Sequence, residues 1–124
     1  GLGFYIWGPD GPQPDIEVLE LLDAGRPKQD WDAGTILRLF IGAIANEGAR
    51  MLGEGMVQRA SDIDAIALLG LEFPRDLGGP MLAASEQGMF AVKRALEQFD
   101  HPDRGFWDPH PLWAERVKNG QVFV

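Results

Sequence analysis

The 124-residue chain has no cysteine. Disulfides, thiolate chemistry and every metal site built on cysteine are therefore excluded. The absence fits a reducing compartment, and a cytoplasmic location is the expectation. Basic residues are scarce: 11 Lys and Arg stand against 19 Asp and Glu, a formal net charge of −8. A nucleic-acid surface needs clustered Lys and Arg to displace counterions from phosphates, so no nucleic-acid partner is expected. A polybasic membrane patch is excluded on the same ground. An acidic surface of this kind serves solubility first. No apolar run approaches ~18 residues, so no membrane span is expected. A basic stretch followed by an apolar one, the mark of a signal peptide, is missing from the first residues.

What remains is the composition of one ordinary domain. Hydrophobic residues make up 45% of the chain, enough for a core. The first residues, Gly1-Leu2-Gly3-Phe4-Tyr5, are apolar and aromatic with no lead-in. We read them as the continuation of something longer. Phe4 to Trp7 is β-prone and runs into Gly8-Pro9-Asp10-Gly11-Pro12, a dense turn signal. Pro14-Asp15 then opens a short helix with Ile16, Val18, Leu19, Leu21 and Leu22 on its apolar side, and Gly25-Arg26-Pro27 ends it. Asp32 to about Leu52 is the longest periodic element, closed by Gly53 and Gly55. Ser61-Asp62-Ile63-Asp64 reads as a capping box variant, with the Ser61 hydroxyl accepting from the Asp64 amide. That helix runs to Gly70. Pro80 suits the first turn of another, ending at Gly88. Met89 to Phe99 and Pro111 to Lys118 give two more. The fold class is all-α, with five to six helices and short extended segments at both ends. Residues 1–12 form a tail and 13–124 the helical domain.

Chemistry-bearing patterns are few. His101 and His110, the only histidines, sit beside proline in Asp100-His101-Pro102-Asp103 and Asp108-Pro109-His110-Pro111. The two Asp-His pairs could form a metal site or an acid–base dyad. Their spacing is not that of helical metal ligands, and a polar, Pro-rich surface loop is the preferred reading. Gly53-Glu54-Gly55 follows a helix rather than a strand, so it is a helix stop and not a dinucleotide fingerprint. Asn46, Glu47 and Arg50 share a face of the long helix. They read either as a polar contact to substrate or a neighbouring domain, or, preferably, as a surface ion pair worth a few tenths of a kcal/mol. Trp7, Trp31, Trp107 and Trp113 could stack on a ligand, but clamping the chain to its core is preferred.

Two stretches together carry a resemblance. Asn46-Glu47-Gly48-Ala49-Arg50-Met51-Leu52-Gly53-Glu54-Gly55 leads into Ser61-Asp62-Ile63-Asp64. Gly70-Leu71-Glu72-Phe73-Pro74-Arg75-Asp76-Leu77-Gly78-Gly79-Pro80-Met81 follows. This order of motifs resembles the C-terminal helical domain of 3-hydroxyacyl-CoA dehydrogenases, as in the multifunctional enzymes of fatty-acid β-oxidation. The opening Gly-x-Gly-Phe-Tyr-x-Trp is similar to the segment that closes the first of two helical repeats there. The resemblance implies that the chain is the second repeat, an accessory and association domain. It would pack beside the acyl-CoA cleft of a parent enzyme whose separate Rossmann domain binds NAD and carries a catalytic His–Glu pair. The preceding repeat and the NAD domain are the implied partners. The family's assisting asparagine has its equivalent near Arg38, so no catalytic, cofactor-binding or metal residue is carried over, and the chain alone is expected to be inactive. Asn46, Glu47, Arg50, Phe73, Pro74, Gly78, Gly79 and Pro80 are the family-motif positions, with structural or interface roles. Glu72 stands where the family has its second glycine, and Ser85 where it has aspartate, which puts the path of the loop in question. A free-standing helical interaction domain of the same fold is the alternative function.

The long helix carries apolar residues on several sides: Ile36, Phe40 and Ile44 on one, Leu37, Ile41 and Ala45 on the next. One side can line the core while another is left for a partner. The expectation is a homodimer to which this helix contributes.

Overall fold

The computed structural model of the chain describes residues 3–22 and 30–124. They belong to two compact units, Gly1–Trp31 and Asp32–Val124. Gly25, Arg26 and Pro27, expected to end the first helix, lie outside the described residues, as do Gly1 and Leu2.

The first unit is a hairpin followed by a short helix. Strand β1 (Tyr5–Gly8) pairs antiparallel with β2 (Gly11–Pro14), Tyr5 opposite Pro14 and Gly8 opposite Gly11. The turn signal thus extends into a strand. Pro14, expected to open a helix, ends β2, and a tail boundary at residue 12 falls inside that strand. Pro12 and Pro14 lack an amide donor, which a two-stranded ribbon tolerates at its open edges. Helix α1 (Ile16–Leu22) starts one residue after Asp15, whose carboxylate accepts from the Glu17 amide at 3.1 Å. Asp15 is the only buried residue of this unit among those described. Apart from the half-buried Val18 and Trp31, its described aromatic and aliphatic side chains are exposed, and among the described residues they form no buried cluster.

The second unit is helical: α2 (Ala33–Gly53), α3 (Ala60–Gly70), a 3-10 turn at Arg75–Leu77, α4 (Pro80–Glu86), α5 (Met89–Gln98), α6 (Arg104–Trp107) and α7 (Pro111–Lys118). The all-α expectation holds here. Helix α6 lies in the stretch read as a loop. It is four residues long, too short to show a period, and starts where the Asp103 carboxylate accepts from the Phe106 amide at 3.1 Å. Gln121–Val124 forms no strand. It is held by Ser85, whose hydroxyl oxygen accepts from the Phe123 amide at 3.1 Å, and by the Phe123 ring edge-on to Trp113. The core gathers Ile41, Ala45 and Ala49 of α2, Ile63 and Ala67 of α3, Met81 and Ala84 of α4, Val92 and Leu96 of α5, and Trp113 of α7. Helix α2 touches the other helices of this unit. It can do so because it is narrow where they cross: a Cβ on Gly48 would lie 2.5 Å from the Met81 sulfur.

Helix α2 ends as expected near Gly55, which takes φ +72°. The Met56 amide bonds the Met51 carbonyl at 2.9 Å, and the Gly55 amide bonds Leu52 at 3.1 Å, the two closing bonds of a Schellman stop. The capping box at Ser61 does not form. Helix α3 begins at Ala60, with Arg59 as a cap that makes no side-chain bond to the first amides. Ser61 is already inside the first turn, past the position from which a hydroxyl reaches the third helical amide. Asp64 instead reaches the start of α4, accepting from the amides of Met81 at 2.7 Å and Leu82 at 3.1 Å. Burial raises its carboxyl above the ordinary value, while those two amides pull the other way. Helix α4 starts on Pro80 but ends at Glu86, and Gly88 (φ +92°) becomes the cap of α5.

The loop between α3 and α4 keeps the path a glycine would take. Glu72 has φ +53°, the only positive φ among described residues other than glycine. The amides of Leu71 and Phe73, on either side of it, both bond the Ala67 carbonyl. Gly78 (φ +68°) and Gly79 (φ +113°) supply the tight turn that follows. A Cβ on Gly79 would run into the Asp64 carboxyl group.

Two predictions follow from these backbones and caps. A left-handed conformation costs a non-glycine residue about 1–2 kcal/mol, and glycine's extra freedom in the unfolded chain returns roughly 0.5–1. Glu72→Gly should therefore raise stability by about 0.5–1 kcal/mol in urea unfolding, whereas Gly79→Val should lower it by more than about 1 kcal/mol. The second concerns Asp32, the cap of α2. Its carboxyl is held below the ordinary 3.8 by the Thr35 hydroxyl first and the Thr35 amide second. A depressed carboxyl contributes stability above 3.8 and loses it as pH falls through the lower folded value. NMR titration should place the Asp32 midpoint below 3.8, and Thr35→Ala should move it back up.

Candidate functional site

Asn46 sits in the C-terminal half of α2 with 1% of its surface exposed. Its side-chain amide donates to the carbonyls of Phe106 at 3.2 Å and Asp108 at 3.0 Å. Its side-chain oxygen accepts from the His110 amide at 2.8 Å and the Trp113 indole at 3.1 Å. An asparagine side chain offers two donors and two lone pairs, and all four are used. Arg50, one turn further on, donates to the carbonyls of Gly105 at 2.7 Å and Phe106 at 3.0 Å and to Glu47 at 3.0 Å. The expected surface ion pair between Glu47 and Arg50 is present, but it is the smaller part of the arrangement. Asn46 is a core residue that binds α6 and the start of α7 to α2, and Arg50 reinforces it. These contacts join residues about sixty positions apart, so no local pattern announces them.

The histidines are absorbed into the same region. The His110 Nδ1 accepts from the Leu112 amide at 3.3 Å, at the start of α7, and its ring lies against Gly53, where a Cβ would collide with it. The His101 Nδ1 accepts from the Asp103 amide at 3.1 Å, and its ring stacks on Phe99 and tilts against Trp107. Both act as local acceptors for backbone amides. Among the described residues, no three His, Asp or Glu side chains are grouped to hold a metal. Trp113 and Trp107 pack in the helical unit as clamps, whereas Trp7 is exposed.

Elsewhere on α2 the surface is apolar and open. A groove of about 150 Å³ runs between α2 and α3, lined by Ile44, Gly48, Met51, Ile63, Ile66 and Leu71, with Glu47 and Pro80 also on its walls. Ile36 and Phe40 extend the same helical face as Ile44 toward the N-terminus of α2, and both are exposed. Phe40 stacks on the buried Phe73 with centroids 6.4 Å apart, which links this face to the loop carrying Glu72. Leu71 and Leu69 leave 71% and 84% of their surfaces in solvent. The motif positions therefore separate. Asn46 and Arg50 bind α6 and α7. Phe73, Gly78 and Gly79 shape the loop around Asp64, with Pro74 exposed at its start. Glu47 and Pro80 reach the groove. Sequence reasoning placed Asp64 in a helix cap and Leu71 in the motif loop, and assigned neither them nor Ile66 the roles they take between helices. An acid on the same side of α3 as Ile63 and Ala67 was the available signal for Asp64.

No family model matches the chain. Similarity to known proteins is nonetheless extensive. The chain is 36% identical over 131 aligned positions to a peroxisomal bifunctional enzyme of Danio rerio, a match that covers 97% of this chain. A peroxisomal fatty-acid β-oxidation multifunctional protein of Arabidopsis thaliana is 30% identical over 98% of the chain. The fatty-acid oxidation complex subunit alpha of Idiomarina loihiensis is 31% identical over 98%. The chain is a homologue of a domain-sized piece of fatty-acid β-oxidation multifunctional enzymes. It spans 17–18% of the length of these relatives. No helix among the described residues is long and apolar enough to cross a membrane.

The Asn46 network has a clear energetic expectation. Asn46→Leu leaves two carbonyls, one amide and one indole N–H without partners in the interior, each worth about 1–3 kcal/mol when unsatisfied. Because the losses share one site they will not add fully. A fall in unfolding free energy of about 3 kcal/mol or more is expected by urea titration. Asn46→Asp, which keeps the size but turns two donors into acceptors facing carbonyls, should be as damaging.

Proposed function

We propose that the chain is the C-terminal accessory and association domain of an NAD-dependent 3-hydroxyacyl-CoA dehydrogenase of fatty-acid β-oxidation. In the parent enzyme it would pack against the preceding helical repeat and the NAD domain, beside the acyl-CoA cleft. The observation that carries this reading is the α2–α3 groove with its exposed flanks, on a unit otherwise tied together by Asn46. A scaffold with an uncovered apolar face suits association rather than chemistry. A cytoplasmic location is part of the same proposal; two of the relatives above are named peroxisomal.

NAD does not fit the described residues. A pyrophosphate site of the dinucleotide type needs a glycine-rich turn from a strand into a helix. Here Gly53 backs the His110 ring, and Gly79 faces the Asp64 carboxyl group, which would repel a phosphate. The cofactor would be held by another domain of the parent.

With its parent domains absent, the chain should cover the apolar face of α2 with a second copy through a two-fold contact. Light scattering at micromolar concentration should report a dimer, and Phe40→Glu should return it to a monomer. A monomer in the unaltered chain would count against the association reading. Purified chain mixed with acetoacetyl-CoA and NADH should show no oxidation of NADH. Turnover would overturn the accessory role.

A further inference from the structure

A cavity of about 370 Å³, which shares no lining residue with the α2–α3 groove, opens beside the start of α3, the α7 helix and the Gln121–Val124 tail. Leu52, Ala60 and Phe123 give it apolar walls. The charged residues that line it are Arg59 and Arg116, and no acid lines it. On a chain of net charge −8 this is a local reversal of sign. Neither guanidinium has a full set of partners. Arg116 is half-buried, and its Nε is buried with no hydrogen-bond partner. Its guanidinium makes one bond, a long one of 3.4 Å from Nη1 to the Gln121 side-chain oxygen. A charged donor taken out of water without acceptors is unfavourable, so this one is short of an anion. Arg59 donates to Asp62 at 2.9 Å, but 76% of its side chain is in solvent, and an exposed pair of this kind is weak enough to give way. Ser61 also lines the cavity, and the Arg59 cap leaves the first amides of the 11-residue α3 without a side-chain acceptor.

We propose that this cavity binds a small organic phosphomonoester, with Arg116 as the main anchor of the phosphate and Arg59 as the second. The donors come from separate elements: a guanidinium on α7, a guanidinium before α3, and the Ser61 hydroxyl in the first turn of α3. A phosphate dianion offers three acceptor oxygens to such a set and takes bidentate bonds from arginine, whereas a carboxylate offers two oxygens and one charge. The cavity is larger than a bare phosphate needs and falls within the range of small-molecule sites. The organic part of the ligand therefore has room against Leu52 and Phe123. Phe123 is held in place by the Ser85 hydroxyl and by its edge-on contact with Trp113, so this wall is part of the packed unit. The proposal does not depend on the association reading above, which uses the α2–α3 groove.

The test uses the full 124-residue chain and phenyl phosphate as the probe, with inorganic phosphate, benzoate and benzyl alcohol beside it. Amide NMR shifts should move saturably with phenyl phosphate at Ser61 and Arg116. Phenyl phosphate should bind more tightly than inorganic phosphate, which lacks the ring, and about tenfold more tightly than benzoate, which lacks one charge and one oxygen. Benzyl alcohol should leave the spectrum unmoved. Arg116→Gln should weaken phenyl phosphate by about tenfold or more, and Arg59→Gln, an exposed partner, by about threefold. Lys118→Gln removes a cation of the same helix outside the cavity and should change nothing. Urea unfolding checks that each variant is folded, and if Arg116→Gln fails that control, Arg59→Gln and the map of shifts decide. Absence of saturable shifts at these residues would overturn the proposal. So would binding weakened as much by Lys118→Gln as by Arg116→Gln or Arg59→Gln, which is attraction to charge anywhere on the surface. Equal binding of benzoate would make the site one for carboxylates, and equal binding of benzyl alcohol would leave only the apolar walls; either result overturns the phosphate assignment.

Discussion

The helical unit depends on one buried asparagine. Asn46 joins α2 to a stretch of chain that has little structure of its own: α6 is a single turn, and residues around it are rich in proline and aspartate. Such a segment cannot bury enough apolar surface to hold itself, so its backbone groups need partners from elsewhere. Asn46 supplies four bonds from one side chain, and Arg50 adds two more to neighbouring carbonyls. The Trp113 indole, fully buried, is anchored by the same oxygen that fixes the His110 amide. A fully satisfied polar cluster of this kind is rigid, because each bond that breaks leaves a buried group without water.

A second polar group plays a parallel part at the other boundary of α2. Asp64 leaves its own helix without a contribution to the cap and closes the start of α4 instead. Its carboxyl is accommodated by Gly79, which has no side chain to obstruct it. In both places a polar side chain from a regular helix organises an irregular neighbour. The groove is the complement of this economy. On the α3 side, an apolar groove stays open between aliphatic side chains of the two helices. Association through it is a property of the scaffold rather than of any reactive group.

Helix starts and stops were legible to different degrees. Asp32, Gly55 and Pro80 act locally, through a cap, a left-handed stop and a fixed first-turn φ, and each does what its position in the sequence suggests. Ser61 looked equally clear and failed by one residue of register, because the chain enters α3 at Ala60. Helix α6 left no periodic signal. Glu72 in place of a glycine puts the path of its loop in question, and the loop holds a glycine-like backbone there, with Phe73 and Leu71 bonded to Ala67. The cost of a left-handed glutamate is small against the burial of Phe73 that this path allows.

By itself, the sequence determined the helical class, the long α2, the turn at Gly78-Gly79 and the kinship with multifunctional β-oxidation enzymes. These rest on periodicity, on local backbone preferences and on ordered motifs, all of which are properties of short stretches. Tertiary structure alone decided that Asn46 is interior rather than a surface partner of Arg50, that Asp64 serves α4, and that the open apolar face lies between α2 and α3. Each of those depends on which residues meet across about 17 to 67 positions of chain. Such meetings are set by how helices cross, and spacing along the sequence does not contain the crossing.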